Sequence, residues 1–217
     1  QMCIRDRVQR MYRLVFSSSK LSFYLLFVLT TPVLIYTDLI LQLWLKQVPE
    51  YCVLFTRLVL VELLISSAYV PIAQINQASG KIRNYQMAIS IIFVVNFALT
   101  YILYKIGMPV YSTFVVSVVL AFIGLFVRVV ILKYDNGFPA STYLLRVMLP
   151  LIPVAGLALF VPILIYVNLE TTFLTFVLNC LAGLASSVIV IWTLGLDKVE
   201  RAFITEKISS KIHKNRK

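Results

Sequence analysis

The chain has 217 residues, of which 60% are hydrophobic and 13% are charged, and its formal net charge is +11. Soluble domains are about 45–50% apolar and about 25% charged, so a mean hydropathy of +0.91 excludes that class and predicts an all-α, polytopic membrane protein. The positive charge does not indicate nucleic-acid binding, because the lysines and arginines stand between apolar runs rather than on one soluble face.

The apolar runs divide the chain into three parts. Residues 1–20 form a basic leader expected on the cytoplasmic side, and residues 1–7 resemble a translated sequencing-adapter remnant rather than natural sequence. Residues 21–195 hold six runs long enough to cross a membrane as helices. Residues 196–217 form a basic tail, also expected to be cytoplasmic. The predicted spans are 21–45, 51–75, 85–104, 110–132, 143–167 and 172–194.

Local signals refine the spans. Pro32 follows two threonines and predicts a kink in the first span. The end of that span, residues 39–45, has a second interpretation as an amphipathic turn at the interface, anchored by Trp44. Gly80 predicts the end of the second helix. The very short turn at 106–109 predicts an antiparallel hairpin of the third and fourth spans.

The distribution of positive charge predicts the orientation. If both ends are cytoplasmic, 17 lysines and arginines lie inside, two lie outside, and Arg57 remains within the membrane. Cytoplasmic loops carry the excess of Lys and Arg in membrane proteins. This pattern therefore predicts an even number of spans, with both ends of the chain inside.

Arg57 and Glu62 are charged residues inside an apolar run, and such residues are functional candidates by default. Spacing of five places them about 140° apart around a helix, so at least one should face another helix or a cavity. Two interpretations remain open. In one, Arg57 reaches the outer headgroups and Glu62 is a protonated, hydrogen-bonded interior acid. In the other, both side chains line a central hydrophilic cavity.

The remaining polar residues are weaker candidates. Asp38 is interpreted as an interfacial residue at the outer mouth, and Asn96 as an interhelical hydrogen-bonding group in the third span. The acids between spans are isolated and no catalytic grouping occurs, so an enzyme is not predicted. The three cysteines are widely spaced and predict neither a disulfide framework nor a metal site. No cofactor is expected.

Three short segments carry a family resemblance. Leu-Trp-Leu-Lys-Gln-Val-Pro-Glu-Tyr at 43–51, Phe-Thr-Arg-Leu at 55–58 and Ala-Ser-Gly-Lys-Ile-Arg-Asn-Tyr-Gln at 78–86 resemble the Wzx-type polysaccharide flippases. These belong to the multidrug/oligosaccharidyl-lipid/polysaccharide exporter superfamily, which also contains the MATE antiporters. The tail at 194–201 is similar to the ending of some members. The resemblance implies a MATE-like C-terminal bundle, with the N-terminal bundle of the same protein missing.

The resemblance also implies a task. Such flippases move an undecaprenyl-pyrophosphate-linked oligosaccharide across the bacterial inner membrane for polysaccharide, lipopolysaccharide or O-antigen synthesis. On that basis the substrate-path candidates are Arg57, Glu62, Asn96 and Asp38, and the cytoplasmic loop motif consists of Gly80, Lys81 and Arg83. Arginine suits bidentate phosphate recognition. Glu62 is the local candidate for coupling to protons or sodium, and the expected partners are the lipid-linked oligosaccharide and membrane lipids.

Two alternatives stay open. A MATE-type antiporter for drugs or cations would have the same fold, but it would favour acidic cavity residues over Arg57. A non-transporting membrane scaffold belongs to a different class. Flux through the complete gene product would separate all three.

Overall fold

A computed structural model describes residues 2–78, 80, 82–169, 172–197, 200–202 and 205–206, with side chains from residue 8 onward. Within these ranges the chain is helical between short connections, and no strand occurs. The helices are α1 Met2–Ile35, α2 Thr37–Leu45, α3 Cys52–Ala78, α4 Ile82–Lys105, α5 Ser112–Asn136, α6 Ala140–Asn168 and α7 Phe173–Gly195. All except α2 are long and apolar enough to cross a membrane, which confirms the predicted all-α bundle with six spans.

The first predicted span differs most from the structure. Because α1 begins at Met2, residue 20 is not a helix boundary, and the part of the chain expected to be a leader continues directly into the span. At its other end α1 stops at Ile35, and α2 is a separate helix where one interpretation placed an interfacial turn. Tyr36 makes the break, with φ −100° and ψ 28°.

The connections follow the turn signals in the sequence. Gly80 comes after α3 with a φ of +75°, a conformation that glycine adopts without steric cost. Helices α4 and α5 form the predicted hairpin: the N–H of Met108 donates to the carbonyl of Leu103 at 3.0 Å. The hydroxyl groups of Tyr104 and Thr113 also bond each other across the turn.

Two π-helical turns interrupt the last two spans. Leu144–Met148 lies near the start of α6, and Ile191–Gly195 ends α7. In the first turn the N–H of Leu149 bonds the carbonyl of Leu144, and Pro150 follows at once. Proline lacks the N–H that would continue the α-helical ladder, so a wider turn at this position has a local cause.

The helices pack in a defined order. Helix α3 lies between α1 and α5, α4 packs on the far side of α5, and α6 and α7 pack on each other and on α1. Tyr12 on α1 donates to the carbonyl of Asn136 at 3.0 Å, and buried Tyr143 donates to the carbonyl of Ala68 at 2.8 Å. These bonds join α1, α3, α5 and α6 at one end of the bundle. We call it the basic end, because it carries Arg13, Arg83, Lys133, Arg146 and Arg201.

A buried asparagine holds the opposite half together. The amide of Asn179 on α7 donates to the hydroxyl of Tyr36 at 3.1 Å and to the carbonyl of Pro162 at 2.9 Å. Asn179 is 2% exposed, so both bonds are made away from water. This side chain ties α7 to the break after α1 and to the proline-containing part of α6.

Candidate functional site

Arg57 lies in the second turn of α3, about 7.5 Å along the axis from Cys52. Its Nη2 donates to Oδ2 of Asp38 at 2.8 Å, and its Nε donates to the carbonyl of Leu34 at 3.2 Å. Leu34 is in the last turn of α1, where helix carbonyls lack α-helical partners. The two charged side chains are 39% and 51% exposed. The ion pair therefore joins α3 to the α1–α2 break in an open environment.

Glu62 does not pair with Arg57. The expectation that at least one of the two faces another helix is met by Arg57, whose partner is on α2. Asp38, predicted to lie at the outer mouth and to be a substrate-path candidate, is the counter-ion of the arginine. Glu62 is half-buried, and among the residues that the structure describes no hydrogen bond or ion pair to it is found. It is a carboxyl group inside a span, and it forms no ion pair with any described residue.

Glu62 belongs to a row of polar residues on one face of α3. Ser66 and Tyr69 follow it at spacings of four and three, which places all three within about 60° around the helix. The hydroxyl groups of Ser66 and Tyr69 bond each other at 2.9 Å. With Arg128 of α5, which packs on Tyr69, we call these residues the polar strip.

Arg128 was not among the predicted site residues, because it is one of the 17 lysines and arginines expected on the inner side. Its guanidinium carbon lies 3.9 Å from the centroid of the Tyr69 ring, and the residue is only 9% exposed. Its buried Nε has no hydrogen-bond partner, and within the described residues no carboxylate pairs with it. A nearly buried cation without a counter-ion is costly, so it marks a functional candidate.

The position of the Arg128 side chain depends on Gly124, one helical turn earlier. A Cβ built on Gly124 would lie 2.6 Å from Nη1 of Arg128 and 3.5 Å from Cδ1 of Ile92 on α4. The guanidinium therefore occupies space that only glycine leaves open, between α3, α4 and α5. The sequence does carry a signal for this arrangement: a glycine stands four residues before an arginine in an apolar run, and residues four apart are neighbours on a helix.

Asn96 has a structural role in this arrangement. Its Nδ2 donates to the hydroxyl of Ser117 on α5 at 3.0 Å, and its Oδ1 accepts a bond from Thr100 at 3.4 Å. These contacts confirm the predicted hydrogen bond between helices. Asn96 holds α4 against the same helix that carries Arg128.

The loop motif lies at the basic end, away from Arg57. Gly80 has the turn conformation described above, and Arg83 is exposed in the first turn of α4. Lys81 lies outside the described residues. Because α3 separates this loop from Arg57 by most of its length, the structure does not bring the two groups of candidate residues together.

Comparison with protein-family models, with curated proteins and with solved structures finds no match for this chain. Within the described residues, no three side chains of the His, Cys, Asp or Glu type are grouped to hold a metal ion.

Proposed function

We propose that this chain is part of a flippase that moves a lipid-linked oligosaccharide, joined to its lipid through a pyrophosphate, between the leaflets of a bacterial inner membrane. The observation that carries the proposal is Arg128. A guanidinium that is nearly buried, stacked on an aromatic ring and without a carboxylate partner is suited to receive the oxygens of an anion.

The position of Arg128 supports a role on a transport path. It lies about 12 Å along α5 from Asn136, at the basic end, whereas Arg57 lies near the opposite end of α3. An anion crossing the bundle would therefore meet one guanidinium near each end. The charge distribution favours a cytoplasmic basic end, and with that orientation Arg128 would lie on the side from which substrate enters.

The Arg57–Asp38 pair supplies a second, weaker site. Half-exposed ion pairs contribute about 1 kcal/mol or less, so a phosphate could replace Asp38 at little cost. When the phosphate leaves, the carboxylate of Asp38 would pair with the guanidinium of Arg57 again. In this proposal Arg128 binds the entering substrate and Arg57 assists its departure.

Glu62 favours a second candidate function. An intramembrane acid without an ion-pair partner is the residue that the resemblance to MATE-type antiporters would assign to binding a cationic drug, sodium or a proton. In the flippase, the same carboxyl would couple transport to an ion gradient. The two functions differ in whether Arg128 or Glu62 is indispensable for substrate binding.

The test is export in cells that depend on the full-length gene. Arg128→Ala should abolish export while protein in the membrane persists, and Arg128→Lys should rescue only in part, since it keeps the charge but loses the planar fork. Lys133→Ala is the matched control, because Lys133 is an exposed cation on the same helix. Normal export by Arg128→Ala at normal protein level would remove Arg128 from the substrate path.

A further inference from the structure

A second group of charged residues lies at the basic end, between α1 and the two π-helical turns. Lys20 of α1 is 3% exposed, and its ammonium bonds Asp197 at 3.1 Å and Glu200 at 3.4 Å. Glu200 also accepts bonds from the hydroxyl of Ser17 at 2.8 Å and from the N–H of Asp197 at 2.9 Å. Lys20 and Glu200 are therefore satisfied by each other and by their neighbours.

Two arginines next to this group have no such partners. Arg13 on α1 and Arg146 in the first π turn are both exposed. Neither has an ion-pair or hydrogen-bond partner among the residues the structure describes. Both line a cavity of about 310 Å³ together with Lys20 and Glu200. The π turn thus adds a second unpaired arginine to the cavity that Arg13 lines.

A second cavity adjoins the first. It has a volume of about 460 Å³ and shares Lys20, Arg146 and Asp197 with its neighbour. Its other walls include Leu145, Pro150, Leu194 and Gly195, contributed by α6 and by the second π turn. The combined space therefore has charged residues where the two cavities meet and a wall of apolar side chains at Leu145, Pro150 and Leu194.

We propose that these two cavities form one binding site for an anionic phospholipid of the leaflet at the basic end. Arg13 and Arg146 would hold the phosphate, and Leu145, Pro150 and Leu194 would contact the start of an acyl chain. Basic pockets between transmembrane helices are a known way to hold anionic headgroups. Arg146 lies about 9 Å along α6 from Ala140, a depth that suits a headgroup.

The apolar wall distinguishes a lipid from a free phosphate ion. An inorganic phosphate would use the two guanidinium groups alone, whereas a phospholipid uses both cavities. The exposed carboxylate of Asp197 faces the shared space and would repel either ligand. Its removal should therefore strengthen binding, and it would also release Lys20 from one of its two partners.

The test uses the full-length gene product in phosphatidylcholine nanodiscs with increasing phosphatidylglycerol. Native mass spectrometry counts the phosphatidylglycerol retained on the protein. Arg13→Gln combined with Arg146→Gln should weaken retention about thirtyfold, since each arginine at a membrane surface contributes about a fivefold effect. Arg83→Gln combined with Lys133→Gln is the matched control, with the same charge change at the same end outside both cavities, and it should retain phosphatidylglycerol as the unmodified protein does.

Two further measurements decide between ligands. Asp197→Asn should raise retention, and added inorganic phosphate should not displace phosphatidylglycerol from the unmodified protein. Equal loss in the two double variants would overturn the proposal in favour of attraction to the surface as a whole. Displacement by inorganic phosphate would assign the site to free phosphate instead. Thermal unfolding in pure phosphatidylcholine should be the same for the unmodified protein and the two double variants, and a double variant that fails to fold there would contradict the placement of both arginines as exposed, unpaired groups.

Discussion

Gly124→Ala moves the guanidinium of Arg128 without removing its charge. The new Cβ would lie 2.6 Å from Nη1, about 1 Å closer than an ordinary contact between heavy atoms allows. The neighbouring atom is the end of a flexible side chain, so the guanidinium is displaced while the helices keep their positions. We expect the stack on Tyr69 to be lost or loosened.

The effects on stability nearly cancel. Alanine stabilises a helix interior by about 0.8–1 kcal/mol relative to glycine, and a desolvated cation–π contact contributes about 2 kcal/mol or less. The substitution should therefore change the free energy of unfolding by about 1 kcal/mol or less. Transport should fall at least about tenfold, because catalytic and binding groups must be held in place to a fraction of an ångström.

The assay is export by the full-length protein, measured beside its amount in the membrane. Gly156→Ala on α6 is the matched control, because a Cβ built there meets nothing within 4 Å. It gains the same helix propensity and should export normally. If Gly124→Ala exports as well as Gly156→Ala, the stacked position of Arg128 has no role in transport, and the reasoning from its geometry is refuted.

Three further predictions concern other parts of the bundle. Arg57→Ala should reduce export more than it reduces protein in the membrane, and restoration of export by adding Asp38→Asn would instead show that the arginine only neutralises the carboxylate. Asn179→Leu should lower the thermal unfolding temperature, because the buried hydroxyl of Tyr36 and the carbonyl of Pro162 would lose their hydrogen-bond partner, at a cost of about 1–3 kcal/mol each. An unchanged unfolding temperature would contradict this prediction. Single cysteines should react with an impermeant reagent in intact cells at Gly107 and not at Gly137, and the reverse pattern would invert the proposed orientation.

The five spans after the first were predictable because each is an apolar run of sufficient length bounded by polar residues, whereas the first span begins earlier and ends earlier than predicted. Chain order and turn signals also gave the α4–α5 hairpin, and the mid-span position of Asn96 indicated a hydrogen bond between helices without naming its partner. The break at Tyr36 carries no glycine or proline of its own, so the sequence offered only an alternative interpretation there. The spans and the hairpin depend on residues that are close together in the chain, so they can be predicted from the sequence alone.

The charged contacts were less predictable because their partners are distant in sequence. Lys20 belonged to the predicted basic leader, whereas in the structure it is buried and its ammonium pairs with Asp197 and Glu200 from the other end of the chain. Arg57 was considered with Glu62 on its own helix, whereas its partner lies beyond a helix break. Arg128 was counted with the inner charges, since nothing local reveals the ring of Tyr69 beside it.

Reconstituted transport tests the proposed function most directly. The full-length protein is placed in liposomes with two fluorescent lipids that carry the same oligosaccharide, one joined through a pyrophosphate and one through an uncharged linker. We predict that only the pyrophosphate-linked lipid changes leaflets and that Arg128→Ala stops it while Lys133→Ala does not. Equal movement of both lipids, or efflux of organic cations without any lipid movement, would contradict the proposal.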